Sequence, residues 1–198
     1  FKGEHPTFEW MHKDSTGRHI PCEVRFSQLP SDEKRLIRVS ITDISERRRE
    51  ESLAYAQNKV LEMIAASTPF DRTLRAICRF VEKLGGDFKA AIMLLDTKSQ
   101  TLSVEQAPSL SDKFKLGLDF IKVDPDSLTC GSAAFHAQDR ITTSIAKDAS
   151  WEGKRKVAAE SGIAAVWSFL IYGSGGSVLG TLDVYLGESR APTTDELD

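Results

Sequence analysis

The sequence predicts an α+β fold: a central antiparallel sheet flanked by helices, preceded by a connecting helix and a smaller, partial antiparallel sheet. Three observations carry that reading. Residues 1–44 alternate apolar and polar side chains in runs of period 2. From Ser45 the period changes to that of a helix. Beyond residue 66 a helix, paired strand patterns and short helices follow in turn, ending in a hairpin around Gly173-Ser174-Gly175-Gly176-Ser177.

The first strand carries Phe8 and Trp10 on one face and ends in the turn Asp14-Ser15-Thr16-Gly17. The second places Ile20, Cys22, Val24 and Phe26 on one face, and a turn at Leu29-Pro30-Ser31-Asp32-Glu33 leads to a third strand over 36–44. Three strands of this size bury little without a covering layer, so this unit reads as incomplete. Strand then meets helix with no loop between, at Asp43-Ile44-Ser45-Glu46-Arg47-Arg48-Arg49-Glu50-Glu51. Ser45 is the expected N-cap, with Glu46 at the positive end of the helix dipole. The arginine run reads as a solvated helix face, with partner contact the weaker reading.

From Glu46 to Ala66 one helix is expected, with Leu53, Ala56, Val60 and Met63 forming a narrow seam. Two uses fit the seam equally: a contact between two copies, or packing on the following domain. Thr68-Pro69 opens a second helix as N-cap and first-turn proline, with Phe70, Leu74, Ile77, Val81 and Leu84 as its buried stripe and Gly85-Gly86 as its end. Strands follow at 90–95 and 102–107, separated by the turn Asp96-Thr97-Lys98-Ser99. Short helices are expected at 109–118, 131–137 and 154–161, a short strand at 140–144, and the hairpin strands at 165–172 and 178–186. The last residues, Ala191-Pro192-Thr193-Thr194-Asp195-Glu196-Leu197, read as a fresh helix start.

At 198 residues, with 40% hydrophobic and 28% charged residues and a net charge of −3, the composition suits a packed core and gives no basic excess for nucleic acid. The three cysteines, Cys22, Cys78 and Cys130, are far apart and lack metal-type spacing, which favours a reducing, cytoplasmic setting. No apolar run reaches the ~18 residues of a membrane span, so no membrane contact is expected. The chain opens on Phe1 rather than Met and reads as a segment of a longer protein.

Phe8-Glu9-Trp10, Lys13-Asp14-Ser15-Thr16-Gly17, Ile20-Pro21-Cys22-Glu23-Val24 and Asp43-Ile44-Ser45-Glu46-Arg47 together resemble the C-terminal half of a PAS domain. The elements that build a PAS ligand pocket are missing, so the cofactor is unknown. Val60-Leu61-Glu62-Met63-Ile64-Ala65, Ala107-Pro108-Ser109-Leu110, Cys130-Gly131-Ser132-Ala133-Ala134, Asp148-Ala149-Ser150-Trp151, Gly162-Ile163-Ala164-Ala165-Val166-Trp167-Ser168 and Val178-Leu179-Gly180-Thr181 resemble a GAF domain of bacterial signalling proteins. The expected organisation is therefore a PAS end at 1–45, a signalling helix at 46–66 and a GAF domain at 67–198. The resemblance implies a sensory module that homodimerises through the 46–66 helix, takes a small molecule or only relays, and acts on an output domain outside this chain. Cyclic-di-GMP synthesis and hydrolysis domains, or a histidine kinase, are the outputs it implies.

Cys130, Gly131 and Ser132 fall at the expected start of a short helix, where free N–H groups and the dipole favour an anion or a reactive thiol. A cysteine-glycine pair also occurs in GAF enzymes that reduce free methionine sulfoxide, an alternative reading. Cys78 and Cys22 offer no evident resolving partner, so structural or ligand-lining roles are preferred over catalysis. A bilin or haem sensor is the other alternative: Gly131 rather than histidine follows Cys130, and His136 is a lone candidate iron ligand. His12, His19 and Cys22 make only a loose constellation, and no metal site is assigned. Trp151, Trp167 and Phe114 fit either pocket walls or plain core. The candidate ligand-binding set is thus Cys130, Ser132, Phe114, Trp151 and Trp167, with no catalytic residue, and the chain is expected not to be an enzyme.

Overall fold

The structure, a computed structural model, describes residues 6–30 and 36–197. The chain divides into two compact units, Phe1–Asn58 and Lys59–Asp198. The first holds an antiparallel sheet of β1 (Thr7–Lys13), β2 (His19–Leu29) and β3 (Leu36–Asp43) in the order β1-β2-β3. The turn expected at 29–33 extends beyond the described residues. Cross-strand pairing of Phe8 with Val24, Trp10 with Cys22 and Val24 with Ile41 puts the apolar side chains on one face. Cys22 and Val24, in the middle strand, are buried, whereas Trp10, Ile37, Val39 and Ile41 stay about half exposed or more. The opposite face carries Glu9 and Glu23.

Only Ile44 separates β3 from α1 (Ser45–Ala65). The expected cap is corrected here: Asp43, not Ser45, supplies the capping oxygen, accepting the Ser45 N–H at 2.8 Å, while Arg48 N–H bonds the Ile44 carbonyl. An Asp placed two residues before the first helical N–H groups reaches them more readily than a serine already inside the helix. The arginine run is not simply solvated, because Arg47 and Arg48 both pair with Glu9. No residue of α1 is buried; Leu53, Ala56, Val60 and Met63 are half-buried, and Leu61 and Ile64 are exposed.

The second unit is built on a six-stranded antiparallel sheet in the order β6-β5-β4-β9-β8-β7. Its strands are β4 (Lys89–Asp96), β5 (Thr101–Gln106), β6 (Ile121–Lys122), β7 (Arg140–Thr142), β8 (Ala165–Tyr172) and β9 (Val178–Leu186). Strand alternation gives the sheet two working faces. On one, α2 (Phe70–Gly85) covers Ala90 and Ile92 with Leu74 and Cys78, and Ala165, Trp167, Val184 and Leu186 continue the layer. The expected stripe of α2 is shifted: Phe70 and Leu84 are exposed, while Cys78 and Glu82 are buried. Glu82 is tolerated there because its carboxylate accepts the Ala90 N–H at 3.2 Å and pairs with Arg79 at 3.0 Å. Pro69, not Thr68, occupies the N-cap of α2, and no side chain caps it.

The other face carries the larger core, with Ala91, Met93, Val166 and Tyr185 from the sheet. Over it lie α3 (Asp112–Gly117), α4 (Thr129–His136), a 3-10 turn (Ala149–Lys154) and α5 (Arg155–Glu160). Ser111 caps α3 through the Phe114 N–H, and Gly162, at φ +67°, lets the chain leave α5 for β8. A four-residue helix, α6 (Thr194–Leu197), follows the sheet. No helix among the described residues is long and apolar enough to cross a membrane.

Candidate functional site

The site is organised by α4. This helix packs on β8 and also meets β7 and β9. It begins at Thr129, so Cys130 lies inside its first turn rather than ahead of it. Gly131 makes the close seat possible: a Cβ there would stand 2.3 Å from the Lys122 carbonyl oxygen and 2.6 Å from Ser127 Oγ. Helical alternation then divides the neighbours. Cys130 and Ala133 turn into the core, and Ser132 turns to the outside.

On the outside is an open cleft of about 520 Å³, lined by Ser127, Thr129, Ser132, Arg140, Thr142, Asp148 and Ser150 among others. Hydroxyls dominate its wall, with one guanidinium and the carboxylates of Asp126 and Asp148 beside it. One wall is continuous with the core through a directed chain of hydrogen bonds. The Trp151 indole N–H donates to Thr129 Oγ1 at 2.9 Å. Thr142 spends its proton on Asp148 Oδ2 at 2.9 Å, so the 2.8 Å contact between the two threonines runs from Thr129 to Thr142. Asp148 Oδ1 in turn accepts the N–H and hydroxyl of Ser150 at 2.9 and 2.7 Å. Each polar side-chain group of this relay from Trp151 to Ser150 has a partner, which fixes that part of the cleft wall.

On the inside, Phe114 stacks with Trp151 at 6.4 Å between centroids and meets Tyr185 edge-on at 5.4 Å. All three rings are about 1% exposed. Next to them sits Asp183, fully buried, its Oδ2 accepting from the Tyr185 hydroxyl at 3.4 Å. Burial pushes the Asp183 carboxyl up to about 7. Burial and the neighbouring carboxyl push the Cys130 thiol well above its ordinary range, and burial does the same for Tyr185.

The structure thus brings together four of the sequence-predicted residues and separates the fifth. Ser132 lines the cleft, while Cys130, Phe114 and Trp151 lie in the core behind it. Trp167 is on the opposite face of the sheet, packed edge-on against Phe88 at 5.4 Å and beneath the Arg190 guanidinium at 5.0 Å. It cannot share a pocket wall with Trp151, because Val166 rather than Trp167 takes the inward place on β8. Cys78 also lies on the opposite face, its thiol pushed up to about 12 by burial, and Cys22 lies in the first unit. His136 is exposed at the end of α4, edge-on to Phe135 at 5.1 Å. His12 pairs across the sheet with Ile20, and His19 with Lys13. Among the described residues no group of three or more His, Cys, Asp or Glu stands close enough to hold a metal ion. Sequence reasoning missed Arg140, Thr142 and Asp183. The signal for Asp183 was present, as a lone carboxylate in an otherwise apolar strand.

Comparison with known proteins agrees with this architecture. The family profile described as GAF domain matches residues 67–198. A curated relative, the methyl sulfide methyltransferase-associated sensor of Methanosarcina acetivorans, is 34% identical over 158 residues, which are 80% of this chain and 16% of the relative. The chain therefore spans about one sixth of that protein's length. The GAF domain of a phosphoenolpyruvate-protein phosphotransferase from Coxiella burnetii superposes with a TM-score of 0.60 at 13% identity, covering 75% of this chain and 84% of that one. Free methionine-R-sulfoxide reductase from Neisseria meningitidis superposes at 0.57 with 18% identity, covering 75% and 80%. A sheet with α2 on one face and α3 to α5 on the other, matched over 67–198 by the family profile, makes this chain a member of the GAF domain family.

Proposed function

We propose that this chain is the sensory segment of a cytoplasmic signal-transduction protein, in which the second unit binds a small molecule in the cleft beside α4. The observation that carries the reading is that cleft: about 520 Å³, hydroxyl-lined, with Arg140 in its wall and a rigid hydrogen-bonded chain behind it. Pockets of that size with a few fixed polar groups suit small ligands. The sensor name of the archaeal relative supports the signalling role. The signal passes to an output domain of the histidine kinase or cyclic-di-GMP class elsewhere in a longer protein, and the chain itself carries out no catalysis.

Two further parts of the proposal rest on the first unit and on α1. The half-exposed apolar face of the β1-β2-β3 sheet supports its assignment as part of a PAS domain, whose remaining elements would cover that face. The seam of Leu53, Ala56, Val60 and Met63, on a helix with no buried residue, supports a homodimer through α1. Against the reductase reading stand the burial of Cys130, its raised thiol pKa, and Cys78 on the far side of the sheet.

The test is the output of the full-length protein. Filling the cleft with Ser132→Trp is expected to change kinase or cyclase activity several-fold while leaving the melting temperature nearly unchanged; unaltered output refutes the cleft. Sedimentation of the Val60→Glu/Met63→Glu variant is expected to show monomer. Assay of free methionine sulfoxide turnover, with Cys130→Ser as control, is expected to give none.

A further inference from the structure

A second cavity, of about 440 Å³, lies between α5, the 145–146 segment, the 162–164 segment that enters β8 and the 187–189 segment that leaves β9. Its apolar wall is the edge of the larger core: Ile145 and Ile163 are 2% and 4% exposed, with Ala159 and Ala164 beside them. Backbone groups along this wall are already paired. The Ile145 N–H donates to the Ala164 carbonyl at 2.8 Å, the Ala164 N–H to the Leu186 carbonyl at 2.7 Å and the Ile163 N–H to the Ala158 carbonyl at 2.9 Å. An occupant therefore meets apolar surface here, and its charged partners come from side chains.

Those partners are cations. Arg155 and Lys156 line the cavity, and together with Ala159, four and three residues further on, they form one edge of α5. The Arg155 guanidinium is held in place, its Nη2 donating to the Asp148 carbonyl at 2.8 Å. Its capacity is not used up: Nε is buried without a partner, and Nη1 bonds none of the described residues. No carboxylate lines the cavity. Neither cation forms an ion pair among the described residues, Glu160 being taken by Lys113 and Glu188 by Arg190 at 2.6 Å. Lys156 reaches Glu160 only by longer-range attraction. Two positive charges beside an apolar wall, with no acid to neutralise them, complement an anion that carries a hydrocarbon tail. A guanidinium already fixed by one hydrogen bond favours the planar carboxylate, and the tail gains by leaving water.

We propose that this cavity is a second ligand site, which takes the carboxylate of a short aliphatic acid on Arg155 and Lys156 and its chain on Ile145, Ala159, Ile163 and Ala164. It shares no lining residue with the cleft beside α4, so its failure leaves the cleft reading standing.

The test is a titration of the whole isotope-labelled chain with sodium butyrate at pH 7 and constant ionic strength, followed by amide NMR. The controls 1-butanol and n-butylammonium chloride carry the same chain with no charge and with the opposite charge. Butyrate is expected to shift the amide signals of Ala146, Ala159, Gly162 and Ala164 and to saturate, with both controls binding at least about tenfold more weakly. Arg155→Gln is expected to weaken butyrate binding about tenfold; should loss of the Asp148 contact unfold it, Lys156→Glu, at an exposed position, decides, with an expected weakening of about three- to tenfold. Absence of a saturable butyrate response overturns the proposal, as does equal binding of butanol or butylammonium, or full affinity in either folded variant. Shifts confined to the cleft residues Ser127 and Ser132 overturn it as well.

Discussion

Replacing Asp183 with Asn should change how stability depends on pH more than it changes the fold. In the unfolded chain the carboxyl titrates near 3.8, and in the folded unit burial holds it at about 7. The folded state therefore binds the proton more tightly. Stability from the neutral acid is full below about 3.8 and is lost as the pH rises through about 7. The gap of about 3 pH units, at 1.36 kcal/mol each, amounts to about 4 kcal/mol lost between pH 4 and pH 8. Cys130 and Tyr185, the ionisable groups nearest the carboxyl, are themselves pushed upward and stay neutral over this range. Asn keeps the shape of Asp, carries no titrating proton, and brings an NH₂ that can donate to Ser168 or Thr181. The assay is urea unfolding followed by tryptophan fluorescence from pH 5 to 8.5, in a Trp10→Phe background so that Trp151 and Trp167 report on the second unit. The wild-type chain should lose stability relative to Asp183→Asn as the pH rises from 5 to about 7, and the difference should level off above that. Two curves that run parallel across that range would refute the argument.

Glu196 gives the opposite sign. Its carboxyl is held at about 2 by the Arg190 fork, with two contacts of 2.7 Å. That stability is full above about 4.5 and is lost as the pH falls through about 2; Glu196→Gln should cost about 1–3 kcal/mol at pH 7 and flatten the acid limb in thermal unfolding. Thr142→Val should leave Asp148 Oδ2 without its donor and Thr129 without its acceptor, costing about 1–3 kcal/mol and shifting Trp151 emission. Gly131→Ala should destabilise the fold by about 1–3 kcal/mol through its clash with the Lys122 carbonyl, and so lower the melting temperature, whereas Gly153→Ala, which meets nothing within 4 Å, should be nearly neutral.

Much of the fold was legible because long amphipathic patterns leave few choices. The hairpin strands at 165–172 and 178–186 are found as expected, since their apolar runs are bounded by a glycine-rich turn that only a tight reversal accommodates. Short elements were not legible. Strand β6 has two residues and exists because β5 offers it an open edge, a tertiary fact with no local periodicity. The stripe of α2 shows the same limit from another side. Leu84 satisfies the helical spacing as well as Glu82 does, yet Glu82 is the one buried, because the β4 backbone supplies the Ala90 N–H that makes burial of a carboxylate tolerable.

The candidate site was legible in its helix but not in its walls. Cys130-Gly131-Ser132 marks α4 because a helix seated this closely on Lys122 and Ser127 leaves no room for a Cβ at position 131. Which tryptophan shares that helix's face is a matter of parity along β8, and parity needs one residue whose side is already known. Asp183 could have supplied it. A carboxylate in the middle of β9 belongs on the face where other polar groups can reach it, and Ser168 is its cross-strand partner there. That places Val166 and Tyr185 inward with Asp183 and sends Trp167 to the α2 side, as found. The polar exception in an apolar strand thus fixes the register of its apolar neighbours.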